Sequence, residues 1–161
     1  MITTEKFDAL KHSKLAAELS DEQSRVLSER MTLRDLGPGE VLIREGQADT
    51  HLYIVVSGTF GVVKHAGTPD AVTLHTMTTG DFIDELGFLD GTEPYASKVA
   101  IGAATVLGLE REQLEALLAT HAEIVYRVMR AIIRTVHMIQ RRLSMQSVEL
   151  ANYIYKQHGR Y

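Results

Sequence analysis

The chain reads as an α+β protein: a β-roll of jelly-roll type, preceded by short helices and followed by one long helix. Three observations predict this. Residues 41–109 hold many short β-type runs separated by turn signals, the texture of a sandwich or jelly roll. Gly37-Pro38-Gly39 divides that stretch from a helical one before it. From Glu110 onward apolar residues recur at helical spacing, with no breaker before Gly159.

A length of 161 residues suits one domain with an appendage, and 45% hydrophobic residues are enough to fill its core. The net charge of −4 argues against broad attraction to nucleic acid or anionic membrane. The absence of cysteine excludes disulfides, thiolate catalysis and thiolate metal sites. No apolar run reaches the ~20 residues that span a bilayer, and the first residues lack the apolar region of a signal peptide. The expectation is a cytoplasmic protein.

The elements follow in order. Ser20-Asp21-Glu22-Gln23 carries a capping box, with Leu15, Leu19, Val26, Leu27 and Met31 supplying an apolar face. Val41-Leu42-Ile43 opens the β region and ends at a Gly46 turn. Leu52 to Val56 ends at Ser57-Gly58. Phe60 and Val62 alternate with small residues. Gly67-Thr68-Pro69-Asp70 is a turn before Val72 and Leu74, and Val99, Ile101, Val106 and Leu109 complete the set. Leu114, Leu117 and Leu118 mark a short helix. Thr120 and Glu123 are spaced as a second capping box for a helix starting near His121. Along that helix Val125, Met129, Ile132, Val136, Ile139 and Leu143 repeat at 4-3-4-3-4, the seam of a two-stranded coiled coil.

Between the last β runs lies Gly80-Asp81-Phe82-Ile83-Asp84-Glu85-Leu86-Gly87-Phe88-Leu89, then a loop to Pro94-Tyr95-Ala96-Ser97-Lys98-Val99. This stretch resembles the phosphate-binding cassette of the cyclic nucleotide-binding domain. Pro38-Gly39-Glu40, Glu45-Gly46, Leu52-Tyr53-Ile54-Val55 with Ser57-Gly58, and Arg141-Arg142-Leu143 extend the likeness over roughly Leu15 to Leu143. The whole is similar to the sensor half of the catabolite activator/Fnr family. The resemblance implies a cyclic nucleotide-binding β-roll flanked by N-terminal helices and a long C-terminal dimerisation helix. It divides the chain into a domain at 1–120 and a dimerisation helix with a helical tail at 121–161. Only Ser144 to Tyr161 follow the family's long helix, so the winged helix-turn-helix is not expected, nor is DNA binding.

The resemblance also implies a site. Glu85 would accept from a ribose hydroxyl, and amides around Leu86, Gly87 and Ala96 would face a cyclic phosphate, with Phe82 beside them. A buried anion needs a compensating cation, which the family supplies as an arginine. Tyr95 stands in its place, and Asp84 occupies a position where the family prefers glycine. Both changes work against cAMP or cGMP, the ligands the family implies. Tyr95 is expected to fill the pocket, its ring on Leu74 or Val62. Lys98, at an odd offset from Tyr95, is expected to face away.

His51, His65 and His75 lack metal-ligand spacing and read as surface or hydrogen-bonded residues, so no metal is expected. His137 flanks the heptad stripe. Arg127, Arg130, Arg134, Arg141 and Arg142 read as a solvated flank pairing with acidic residues across a dimer. No phosphate-binding glycine loop, nucleophile elbow or acid–base set is present, which argues against an enzyme. The expected function is that of a homodimeric regulatory module acting on a protein partner, off DNA and off the membrane; the alternatives are a functional cAMP- or cGMP-binding protein and a ligand-free dimeric scaffold.

Overall fold

The N-terminal helices form where the sequence supplies caps and an apolar face. In the computed structural model, which describes residues 2–158, α1 (Ile2–Lys11) and a 3-10 helix (Lys14–Glu18) precede α2 (Asp21–Glu29). The Ser20 capping box is formed: its hydroxyl accepts the Gln23 amide at 3.1 Å, and its own amide donates to the Gln23 side chain at 3.0 Å. Leu10, Leu15, Leu19 and Leu27 turn inward.

Two four-stranded antiparallel sheets follow. One has the order β1 (Thr32–Leu36), β8 (Ala104–Glu110), β3 (His51–Ser57), β6 (Phe82–Ile83). The other has the order β2 (Val41–Ile43), β7 (Ser97–Ala100), β4 (Phe60–Lys64), β5 (Val72–Met77). This is the jelly roll expected from the sequence. Between the sheets lies a core of Leu36, Ile43, Val55, Phe60, Ile83, Ala100 and Val106. The Ser57-Gly58 turn needs its glycine twice over. Gly58 has φ of 84°, and an added Cβ would lie 2.6 Å from the Ala103 carbonyl oxygen and 2.7 Å from Ala104 Cβ.

β1 departs from the sequence expectation, which began the β region at Val41. Its Thr-Leu-Arg-Asp-Leu carries one buried residue, Leu36, and reads as loop; pairing with β8 from Thr32↔Gly108 to Leu36↔Ala104 makes it a strand.

After β8 come the short helix α4 (Arg111–Glu115) and the long α5 (Ala122–His158). Leu114 and Leu117 are buried as read, whereas Leu118 is exposed. Thr120 does not start α5 as a capping box; its hydroxyl meets His121 Nδ1 at 2.9 Å and the helix begins at Ala122. Gly159 lies outside the described residues.

The heptad stripe is also corrected. Val125 and Ile132 are not on a free seam: with Ile124, Val128 and Ala131 they pack into the core shared by the N-terminal helices and the first sheet. Glu18 reinforces this docking. Its side chain is buried and accepts from Arg134, with Arg130 Nε 3.2 Å away. Arg127 pairs with Glu123 at 3.2 Å. These three arginines find their acids within the chain rather than across a dimer. From His137 to Gln157 every described side chain of α5 is exposed.

Ile132→Ala is expected to cost about 2–5 kcal/mol in unfolding free energy, the range for a large aliphatic side chain lost from a packed core. Denaturant titration checks it; a loss below about 1 kcal/mol would contradict this placement.

Candidate functional site

The cassette lies at one of the points where the chain passes from one sheet to the other. β6 pairs with β3 through Tyr53↔Ile83 and Ile54↔Phe82, while β7 belongs to the opposite sheet. The link begins with α3 (Glu85–Asp90), whose first turn carries Leu86 and Gly87. α3 is anchored at its far end by Arg111, which donates to the Phe88 carbonyl at 2.6 Å and the Gly87 carbonyl at 2.8 Å. Gly91, at φ of 75°, closes the helix by donating to the Gly87 carbonyl at 2.9 Å. Arg111 escaped the sequence reading because nothing in its local pattern marks a residue that caps a helix over 20 positions earlier.

Glu45-Gly46 fixes the other side. Gly46 N–H donates to the Pro94 carbonyl at 2.9 Å, and Glu45 Oε2 accepts from the His65 amide. Glu45 also pairs with Lys64, whose ammonium reaches the Tyr95 carbonyl at 2.8 Å. The loop before β7 is thus held through its backbone, and the Tyr95 side chain is not needed to hold it.

Tyr95 is 59% exposed and does not fill the pocket. The inward residue is Lys98, only 5% exposed. β7 starts at Ser97, so pleat alternation cannot be counted from Tyr95. Counted from Ala100, which lies in the core between the sheets, Lys98 shares the inward face. Its neighbours in register, Val62 on β4 and Ile43 on β2, are buried. Ser97 points the other way and accepts the Glu45 amide at 2.9 Å. Lys98 Nζ lies 5.2 Å from the Tyr95 ring centre and 3.3 Å from the Ala96 carbonyl oxygen.

Asp84 stands before α3 in the left-handed conformation, φ 63° and ψ 35°. Its carboxylate folds over Gly87, where a Cβ would lie 2.6 Å from Oδ1. Oδ2 is buried without a hydrogen-bond partner. Burial raises its carboxyl from the ordinary 3.8 to about 6, against the pull of Lys98 and with help from Asp49, Glu85 and Asp90. Burial also raises Glu85, and it lowers Lys98. Phe82 and Ala96 are buried, and Leu86 is exposed.

Glu85 and Phe82 open onto a cavity of about 370 Å³ whose far wall is α5, through Thr135, Ile139, Arg142 and Leu143, with Lys14 and His75 at its rim. A larger cavity of about 890 Å³ lies between α1 and the first sheet, lined by Ile2, Ala9, Leu33 and Val56. It holds no buried charge, so the chemistry points to the cassette. Of the histidines, His51 bonds Asp49 at 2.9 Å and stacks on Tyr53, and His65, His75 and His137 are exposed. Among the described residues no group of three or more potential ligands is placed to hold a metal ion. No described helix is long and apolar enough to cross a membrane.

The family model for the cyclic nucleotide-binding domain matches residues 33–121. The chain belongs to this family. A cyclic nucleotide-binding domain from Methylobacillus flagellatus is similar over 92% of this chain and 83% of its own, at 23% identity and a TM-score of 0.74. The N-terminal domain of a Streptomyces coelicolor transcriptional regulator matches over 84% and 95%, at 26% identity and a TM-score of 0.71. The Thermus thermophilus catabolite activator protein matches over 84% of this chain and 63% of its own, at 25% identity and a TM-score of 0.66. The fold is thus that of a regulatory cyclic nucleotide-binding domain.

Because Asp84 holds its proton more tightly when folded, its stabilising contribution is complete below about pH 3.8 and is lost as pH rises through about 6. Asp84→Gly removes that dependence and relieves the left-handed backbone. The difference in Tm, variant minus wild type, is expected to increase between pH 4 and pH 7 in thermal melts. A difference that stays flat would show that Asp84 is solvated.

Proposed function

We propose that this chain is a regulatory module in which a small anionic ligand in the cassette biases the position of α5. One observation carries this reading: the cavity beside Glu85 and Phe82 has α5 as its opposite wall, so one ligand can touch both cassette and helix. The family's printed description, cyclic nucleotide binding, makes cAMP or cGMP the first ligands to test. The output is carried by a protein partner, with α5 as the surface that changes.

We further propose that α5 pairs with a second copy. It presents Ile133 beside its docked face and Ile139, Leu143 and Leu150 beyond it, each between 42% and 63% exposed, with Met129 at 36%. Apolar residues strung along one helix leave a patch that water disfavours. A parallel twofold partner covers it with the same residues from the other chain. The proposed seam keeps Met129, Ile139 and Leu143 of the sequence expectation and adds Ile133, while Val125, Ile132 and Val136 pack on the chain's own core.

Two measurements test these readings. In thermal shift with cyclic mono- and dinucleotides, a ligand at 100 times its dissociation constant should stabilise by about 2.7 kcal/mol. No shift with any of them would favour a ligand-independent scaffold instead. For the dimer, Ile133→Asp with Leu143→Asp should give a folded monomer by light scattering and circular dichroism. A double variant that remains dimeric would place the interface elsewhere.

A further inference from the structure

Lys98 is a buried cation whose contacts, the Ala96 carbonyl and the face of the Tyr95 ring at 5.2 Å, include no anion. An ammonium has three donors, and Lys98 uses one, on the Ala96 carbonyl at 3.3 Å. Among the described residues it makes no ion pair, although Asp84 and Glu85 are close enough to attract it. Burying a charge in this way is costly unless something completes it. Its neighbours in register are apolar, so no residue of β2 or β4 does so. α3 has only six residues, and a helix that short offers little field of its own to an anion. Asp84, whose carboxyl feels the Lys98 charge, has an Oδ2 that is also buried and unpartnered. The site therefore holds a cation lacking an anion and a carboxyl lacking a donor or a proton.

We propose that Lys98, not the residue at position 95, anchors a phosphodiester anion in this cassette, and that Asp84 is uncharged when the anion is bound. This rests on the ligand-sensing reading above. A phosphodiester on Lys98 completes the ammonium and adds one negative charge to a space already holding two carboxylates. The groups facing Asp84 are Lys98 on β7, Glu85 and Asp90 on α3, Asp49 before β3, and Tyr53 on β3. Lys98 is the only cation among them, so once it is occupied by the phosphate nothing offsets an Asp84 charge. Asp84 already holds its proton up to about pH 6, and a bound anion raises that further. The anion thus enters together with a proton, and affinity falls as pH rises.

Calorimetry with cAMP and with cGMP at pH 6 and pH 8, on the wild type and on Lys98→Met, Lys98→Arg and Asp84→Asn, tests this. Wild-type affinity for at least one nucleotide should be roughly tenfold or more weaker at pH 8 than at pH 6. Asp84→Asn should bind equally at both. Lys98→Met should bind roughly a hundredfold more weakly or worse, and Lys98→Arg should recover most of the loss. Thermal melts of the apo variants show that each is folded; removal of a buried unpaired charge should not lower the Lys98→Met Tm. Wild-type binding that survives Lys98→Met, or that is independent of pH, would overturn the proposal and leave the ligand-sensing reading standing. No heat from the wild type with either nucleotide at either pH would overturn both for this ligand class.

Discussion

The site depends on one of the crossings between the two sheets. The two sheets of the roll share a core, and at the cassette the chain must pass from the edge of one sheet into the middle of the other. β6 ends on the β3 side, and β7 begins between β2 and β4. A six-residue helix makes the link, too short to hold itself in water. Arg111 compensates by binding two carbonyls at its C-terminal end, and the Gly46–Pro94 bond holds the loop that follows. With both ends fixed, residues from opposite sheets are brought face to face: Asp84 and Glu85 from the end of β6, Lys98 from β7. The chemistry of the site follows from this topology. Neighbours in space here are strangers in sequence.

A second constraint ties the site to the rest of the molecule. α5 is 37 residues long, and only its first half has a core to lie on. Glu18 holds that half through Arg130 and Arg134, which joins the 3-10 helix to α5 across more than 100 positions of sequence. Lys14, on the same 3-10 helix, reaches Asp81 at 3.4 Å at the mouth of the cassette. The 3-10 helix therefore touches both the cassette's entry and the long helix. These packed and paired groups form the route by which the proposed ligand would bias α5.

Much of this was legible in the sequence, for physical reasons that also explain the failures. The Ser20 capping box and the Ser57-Gly58 turn are local, and local rules read them correctly. Most strands were found because one face is buried and the pattern alternates. β1 was missed because Thr32, Arg34 and Asp35 are exposed and its strand character comes from pairing with β8. The heptad reading of α5 placed Ile132 on a dimer seam, when the helix carries two apolar stripes side by side. Its own domain takes Ile132, leaving Ile133 outside. Spacing alone cannot say which stripe faces which partner.

Lys98 is the most instructive failure. The alternation rule was sound, but it was counted from Tyr95, which precedes the strand. Ala100 is the residue that fixes the phase, and its burial between the sheets turns Lys98 inward. A cassette judged only at the arginine position looks emptied of its charge. Judged by what faces the interior, it has kept a cation and moved it onto the strand. The two substitutions then make sense together. Asp84 and Glu85 attract the Lys98 ammonium, but burial outweighs that attraction, so the charge is incompletely offset in the empty site. The pair has to be read as one unit, since the protonation of each group depends on the charge of the other.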